Sequence, residues 1–438
     1  MSRVAPAKVH STLRRHLLVT GHPIVLDLSL SHGLWVRDAL SGDEFLDFAG
    51  FYASNALGFH HPGLEDETTR ERLHQAALIK VGNPDFYTAE LATFVSTLAR
   101  TAAPASLPHY FFVEGGALAV ENAMKTAMDW KVRKNLSRGL DGVGTEMLHF
   151  EQAFHGRSGY TLSVTNTDPQ KTLYFPKFDW PRVPAPAARF PLRGANVEAT
   201  EVAEKEALAA IERAFDQRAH RIAAILVEPI QGEGGDNHFR PEFLRTLRRV
   251  ADEREALLIF DEVQCGVGIT GRWWAHEYAN LRPDLLCFAK KLQVGGFFAS
   301  TRIDDVDNVF KVPGRISSTW GGALVDMVRA TRILELILEE NLLANAAAQG
   351  RQLLTGLESL EAEFPERLCA ARGRGLMCAF DLLNPNERNE FVKRCFSARL
   401  FVLAGGTRTI RLRPALTVNS ELVAECLSRL RRVLSAPL

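Results

Sequence analysis

Five short apolar runs between residues 109 and 289 constrain the fold more than any other feature of the chain. They read HYFFVE, EMLHF, RIAAILVE, ALLIF and DLLCFA, and each is bounded by polar residues, glycine or proline. Stretches with helical periodicity, such as RPEFLRTLRRVADER, lie between some of them. Buried strands that alternate with helices are typical of a largely parallel sheet in an α/β fold.

The two ends of the chain differ from this central pattern. Near the N-terminus, IVLDLSLSHGLWVRDALSGDEFLDFAG holds three short apolar stretches between turn signals, which predicts a β-ribbon. Towards the C-terminus, a long helical pattern with a break expected near Gln349–Gly350 leads into mixed strands and helices. We predict an N-terminal segment over 1–60 that packs with the small domain, a large domain over 61–325 and a smaller α+β domain over 326–438.

Composition argues against several classes of protein. Lys+Arg and Asp+Glu are 52 each, so the zero net charge does not support a nucleic-acid surface. The N-terminus lacks the apolar core of a secretory signal, and no uncharged apolar run is long enough to span a membrane. The six cysteines and 13 histidines show no metal-ligand spacing, so we expect reduced thiols, no metal site and a cytoplasmic location.

Two of the apolar runs end in residues suited to catalysis. ALLIF is followed by Asp261, and DLLCFA is followed by Lys290 and Lys291. Ligands of open α/β sheets bind at the carboxyl edge of the strands. A lysine there suits pyridoxal phosphate, because its amine forms an imine with the cofactor aldehyde while a carboxylate keeps the pyridine nitrogen protonated. Taken alone, a loop-capping aspartate and solvated lysines explain these residues as well.

The segment DEVQCGVGITGRWWAHEYANLRPDLLCFAK resembles the signature of class-III pyridoxal-phosphate aminotransferases, and related motifs extend from about residue 24 to about residue 435. The resemblance implies a pyridoxal-phosphate transferase of fold type I, with a mostly parallel seven-stranded sheet in the large domain and a smaller α+β domain. It implies that Lys290, directly after the small Ala289, is the catalytic lysine. Lys291 is then expected to add local positive charge or to meet solvent.

The same resemblance implies how the cofactor phosphate is held. In FFVEGGALAVENAMK, Gly115, Gly116 and Ala117 lie where a strand turns into a helix, whose N-terminus can hold an anion. In ISSTWGG, Thr319 is expected to bind the phosphate in the partner subunit, with Ser318 as a helper. The resemblance therefore implies a homodimer with active sites at the subunit interface.

The contacts to the cofactor ring follow from two further motifs. In FHGRSGY, Phe154 is expected to stack on one face of the pyridine ring, and Val263 of DEVQ packs on the other. Gln264 is expected to bond the ring hydroxyl oxygen and Asp261 the pyridine nitrogen. Without these distant partners, Lys290 is an ordinary lysine after a strand.

Three charged residues bear on the substrate. The resemblance implies that Arg157 binds a substrate carboxylate and that Glu233 pairs with Arg411 until a keto acid needs that arginine. The motifs FAKKLQVGG and QGEGGDNHFRPEF look most like those of L-lysine 6-aminotransferases, which transfer the ε-amino group of lysine to 2-oxoglutarate. Donors left open are ornithine, acetylornithine and 4-aminobutyrate, and a silent homologue with a binding role is a further alternative.

Overall fold

The computed structural model describes residues 3–436 of the chain. The strands, in chain order, are β1 Trp35–Arg37, β2 Glu44–Asp47, β3 His109–Val113, β4 Glu146–Phe150, β5 Arg182–Val183, β6 Ile222–Val227, β7 Ile230–Gln231, β8 Asn237–His238, β9 Leu257–Asp261, β10 Leu285–Phe288, β11 Gly295–Ala299, β12 Leu368–Arg374, β13 Met377–Leu382, β14 Leu400–Phe401, β15 Leu403–Gly405 and β16 Thr409–Leu412. The helices are α1 Val9–Leu13, α2 Gly50–Ala53, α3 Glu67–Leu78, α4 Ala89–Thr101, α5 Gly116–Leu136, α6 Thr161–Val164, α7 Ala195–Gln217, α8 Pro241–Glu253, α9 Leu324–Glu339, α10 Leu342–Glu363, α11 Arg388–Ser397 and α12 Ser420–Ser435.

Seven strands form the central sheet, in the order β3-β11-β10-β9-β6-β4-β5. The five strands from β10 to β5 pair in parallel, and β11 runs antiparallel to both of its neighbours. Each of the five apolar runs noted in the sequence forms one strand of this sheet. The predicted mostly parallel seven-stranded sheet is therefore confirmed.

Both faces of the central sheet are covered. Leu226 and Ile259 pack into a hydrophobic core with α5, whereas Val227 and Phe260 pack into the larger core with α8 on the opposite face. Because neither face meets water, these strands carry unbroken apolar runs. The first polar side chains after the runs, such as Asp261, are consequently left at the carboxyl edge of the sheet.

A smaller antiparallel sheet, in the order β12-β13-β16-β15, packs against α10, which also contacts α12. The predicted N-terminal ribbon is the antiparallel pair β1-β2, and β2 pairs in parallel with β14 from the C-terminal region. The N-terminal segment thus lies against the C-terminal part of the chain. The division of the chain at residues 60 and 325 stays a prediction.

The expected helix break near Gln349–Gly350 is wrong. The long helical stretch is interrupted at Glu340–Asn341, where Asn341 adopts a left-handed conformation with φ of 52°. Gly350 lies inside α10, where a Cβ atom would collide with the main-chain carbonyl of Gly375. The glycine therefore permits close packing of α10 on the small domain and does not end the helix.

Candidate active site

A cavity of about 790 Å³ opens at the carboxyl edge of the central sheet, beside the N-terminus of α5. This inner cavity is lined by nine of the residues singled out in the sequence, namely Gly115, Gly116, Ala117, Phe154, Arg157, Asp261, Val263, Gln264 and Lys290. An outer cavity of about 900 Å³ shares Phe154, Arg157, Gln264 and Lys290 with it and adds Glu233 and Arg411. The two cavities therefore meet around Lys290, and most of the predicted site residues come together there.

Lys290 opens a short 3-10 helix, Lys290–Leu292, directly after β10. Burial lowers the pKa of its amine from the ordinary value of 10.5, while Asp261 and Glu228 act in the opposite direction. A lowered pKa increases the share of neutral amine, which is the nucleophilic form. The preceding Ala289 lies close to Gly116, so the small residue at this position is a packing requirement.

Lys291 does not meet solvent, and that expectation is wrong. Its side chain is 2% exposed, and Nζ donates a hydrogen bond to the main-chain carbonyl of Asn55 at 3.1 Å. Burial and Arg413 lower the pKa of Lys291 to about 7, and the buried Asp47 raises it. The 3-10 turn points the two lysines in different directions, so one reaches the cavities and the other the N-terminal segment.

Asp261 is fixed by two hydrogen bonds at the floor of the inner cavity. Its Oδ2 atom lies 2.8 Å from Nδ1 of His155, and its Oδ1 atom accepts a bond from the main-chain N–H of Val263 at 3.0 Å. His155 is buried, and its main-chain N–H donates to Thr165 Oγ1 at 2.9 Å. Sequence reasoning did not single out His155, although its place in FHGRSGY was a signal.

Glu228 is a second residue that the sequence prediction omitted. It follows β6 at the same sheet edge and lines the inner cavity. Its carboxyl oxygens accept the main-chain N–H groups of Phe154 and Gly232, each at 3.0 Å. Burial raises its pKa to about 7, with His155 lowering and Asp261 raising it. Glu228 could have been found from its position directly after the apolar run RIAAILV, because Asp261 comes directly after the run ALLIF in the same way.

The predicted phosphate site is a cradle of main-chain atoms. Gly115 has φ of 85°, a conformation that favours glycine, and Gly116 begins the 21-residue helix α5. A Cβ atom on Gly116 would lie 2.9 Å from a methyl carbon of Val263 and would fill the cradle. Free N–H groups at the start of such a helix suit an anionic group.

Gln264 lies at the junction of the two cavities. Its Oε1 atom accepts a bond from Arg411 Nη1 at 3.4 Å. A side chain on Gly232 would collide with the Gln264 amide, so Gly232 leaves room for it. Phe154 and Val263 both line the inner cavity, as the predicted ring contacts require.

The predicted ion pair between Glu233 and Arg411 is not formed within residues 3–436. Arg411 is 2% exposed and donates to the carbonyl of Ala404 at 3.1 and 2.7 Å. Burial lowers its pKa to about 10. Glu233 instead contacts Lys171 and accepts Thr167 Oγ1 at 3.0 Å. No sequence pattern pointed to Lys171, because it lies in a separate loop, 62 residues away from Glu233.

Ser318 and Thr319 line neither cavity within the described part of the chain. Thr319 is exposed and Ser318 half-buried. The main-chain carbonyl of the neighbouring Trp320 accepts a hydrogen bond from the main-chain N–H of Asn83 at 3.3 Å. Lys80 Nζ lies over the Trp320 ring, 3.7 Å from its centroid. Their assignment to the site of a partner subunit stays a prediction.

The inner cavity fits pyridoxal 5′-phosphate. The glycine cradle suits the phosphate, the buried Asp261 carboxylate suits a protonated pyridine nitrogen, and the Lys290 amine faces the space between them. Among residues 3–436, no group of three or more His, Cys, Asp or Glu side chains is arranged to hold a metal ion.

Comparison with known proteins agrees with this geometry. Residues 18–434 match the family model of aminotransferase class-III. The chain is 50% identical over 432 residues to the L-lysine-epsilon aminotransferase of Mycobacterium tuberculosis, covering 98% of this chain and 96% of that protein. Human mitochondrial 4-aminobutyrate aminotransferase is 32% identical, with 89% of this chain and 81% of that protein covered. The solved structure of lysine aminotransferase from M. tuberculosis in the internal aldimine form matches with a TM-score of 0.96 and 49% identity, covering 98% of this chain and 99% of that one. The chain therefore belongs to the class-III aminotransferases, which are pyridoxal-phosphate enzymes.

Proposed function

We propose that this aminotransferase moves the ε-amino group of L-lysine to 2-oxoglutarate, giving 2-aminoadipate 6-semialdehyde and L-glutamate. The observation that carries the proposal is the meeting of the two cavities at Lys290, with Asp261 on one side and Arg411 on the other. The greater similarity to the L-lysine-epsilon aminotransferase than to the 4-aminobutyrate enzyme favours lysine as the donor.

Lys290 is the proposed catalytic residue. Pyridoxal phosphate, when bound, supplies an electron sink for the electrons released at the substrate carbon. With the cofactor in place, the Lys290 amine would take the proton from the ε-carbon of the substrate as general base and would then donate it as general acid. Its lowered pKa increases the share of the amine that is free to act as a base. Asp261, which is oriented by His155, would hold the proton on the pyridine nitrogen.

Arg157 and Arg411 are the proposed carboxylate-binding residues. Both line the outer cavity, and a planar guanidinium can bind a carboxylate through two hydrogen bonds. Arg157 is exposed, so it is available to a ligand, whereas Arg411 is buried and already oriented by Ala404 and Gln264. The two arginines suit 2-oxoglutarate, which has a carboxylate at each end.

We further propose a homodimer in which Thr319 and Ser318 reach the phosphate in the partner's site. Four large side chains next to this segment are strongly exposed, namely Leu78 at 72%, Ile79 at 67%, Phe86 at 71% and Tyr87 at 84%. Their loop contacts the Thr319–Trp320 main chain through Gly82 and Asn83. Several large exposed apolar side chains in one segment are typical of a subunit interface.

A cytoplasmic location is part of the proposal and is supported by six free cysteines in the described chain, of which five are buried. Within residues 3–436, no helix combines the length and the apolar character needed to cross a membrane.

The proposal is tested by offering lysine, ornithine, acetylornithine and 4-aminobutyrate separately with 2-oxoglutarate and measuring kcat/KM for each. We expect lysine to be the best donor. A higher kcat/KM for one of the other three would contradict the proposed substrate, and no glutamate from any donor would contradict aminotransferase activity.

A further inference from the structure

Glu233 is held by a cation that does not belong to the predicted site. Its carboxylate contacts Lys171 Nζ and accepts a hydrogen bond from Thr167 Oγ1 at 3.0 Å. Lys171 ends the short 3-10 turn Pro169–Lys171, and Asp168 caps that turn by accepting the N–H of Gln170 at 3.0 Å. The local fold of this loop thus directs the Lys171 amine towards Glu233.

Several cationic side chains line the outer cavity together with Glu233. Among the residues that the structure describes, its lining includes Arg157, Arg388 and Arg411 besides Lys171 and Lys290, but only two carboxylates, Glu233 and Asp168. The Glu233 side chain is 21% exposed and that of Lys171 is 29% exposed, so solvent only partly screens the pair. A partly buried carboxylate among so many cations remains paired with one of them. When Glu233 is paired with Lys171, Arg411 is available to a substrate carboxylate.

We propose that Lys171 is a positioning residue that holds Glu233 away from Arg411 and so keeps Arg411 free for the carboxylate of the incoming keto acid. The inference rests on the proposed lysine and 2-oxoglutarate reaction. Glu233 then has two positions, one on Lys171 and one on Arg411, and the balance between them sets the preference of the site. Pairing with Lys171 favours the dicarboxylate, and pairing with Arg411 favours the amine donor.

The predicted consequence of losing Lys171 is a change in substrate preference. Lys171→Met keeps the length of the side chain but removes its charge, so Glu233 turns to Arg411. 2-Oxoglutarate must then displace Glu233, and we expect the ratio of KM for 2-oxoglutarate to KM for lysine to rise about tenfold, as for a modest coupling between two sites.

The test measures this ratio with purified holoenzyme for wild type, K171M, K171R, E233Q and the double variant K171M/E233Q. K171R should restore the ratio to near the wild-type value. In the E233Q background residue 233 no longer competes for Arg411 as a carboxylate, so K171M should add little. Lys177→Met is the matched control, because Lys177 is an exposed lysine near the same loop that bonds Thr172 at 3.4 Å and lines neither cavity.

Two outcomes would overturn the proposal. An unchanged ratio in K171M means that Lys171 does not control Glu233. A rise of equal size in the E233Q background means that Lys171 binds the keto acid directly. Both outcomes differ from failure of the proposed function, which would appear as a lack of lysine-dependent glutamate formation in the wild type itself.

Discussion

Lys291 Nζ donates a hydrogen bond to the main-chain carbonyl of Asn55 at 3.1 Å. This contact joins the turn that carries Lys290 to the N-terminal segment, which itself supplies Ser54 to the inner cavity and Tyr52 to the outer one. Lys291, next to the proposed catalytic residue, therefore connects two parts of the site.

The buried Lys291 predicts a specific pH dependence of stability. Its pKa is about 7 in the folded protein and 10.5 ordinarily, so between these values the unfolded chain binds the proton and the folded chain does not. Stability contributed by this group therefore rises with pH across that window. We expect the free energy of unfolding of wild type relative to Lys291→Met to increase from about pH 7 to about pH 9.

Chemical denaturation at the two pH values measures this difference. Lys177→Met is a suitable control, because it is the same substitution at an exposed lysine. A difference for K291M that stays flat or falls with rising pH would show that Lys291 does not carry a lowered pKa in the folded protein.

Lys290→Ala should abolish transamination, with a fall in kcat of at least about a thousandfold, because the residue moves the proton at the substrate carbon. Borohydride reduction of the wild-type holoenzyme followed by peptide mass mapping should place the cofactor on Lys290. Cofactor attached to Lys291, or K290A with near-normal activity, would refute the assignment.

Asp261→Asn should lower kcat by about a hundredfold or more, because the negative charge opposite the pyridine nitrogen is lost. His155→Gln removes the hydrogen bond that orients Asp261, and loss of one hydrogen bond to a charged group, about 1.5 kcal/mol, should cost about tenfold. Steady-state kinetics at saturating cofactor measure both. An H155Q defect as large as that of D261N would mean that His155 contacts the cofactor itself.

The sequence was sufficient to predict the central sheet and the polar residues at its carboxyl edge. Unbroken apolar runs identify strands that are covered on both faces, and Asp261 and Lys290 are the first polar residues after two of them. Once these strands lie side by side, their ends must meet. The inner cavity therefore follows from patterns that are local in the chain.

Features that depend on packing between distant segments were missed or wrong. The buried position of Lys291 depends on the distant Asn55, and the partner of Glu233 depends on the loop that carries Lys171. Gly350 was predicted to break the helix, because the sequence does not show that the carbonyl of Gly375 packs closely against it. In each case the deciding neighbour is remote in sequence, so no local pattern reports it.

A mixture of two inactive variants tests the proposed subunit arrangement. If Thr319 serves the partner's site, a hybrid of Lys290→Ala and Thr319→Ala subunits contains one site with both native residues. Refolding the two together at limiting cofactor should therefore restore part of the activity, up to about half of a native dimer for each hybrid. No recovery, despite hybrid formation shown by native mass spectrometry, would place Thr319 in its own subunit's site, and a fully active Thr319→Ala variant at limiting cofactor would place it outside any site.

The most direct test of the central claim follows the nitrogen atom. Holoenzyme is incubated with 2-oxoglutarate and lysine labelled with nitrogen-15 at the ε-position only, and the glutamate formed is examined by mass spectrometry. The proposed reaction predicts labelled glutamate, and lysine labelled only at the α-position should give unlabelled glutamate. Label from the α-position, or no glutamate from lysine, would contradict the proposed ε-amino transfer.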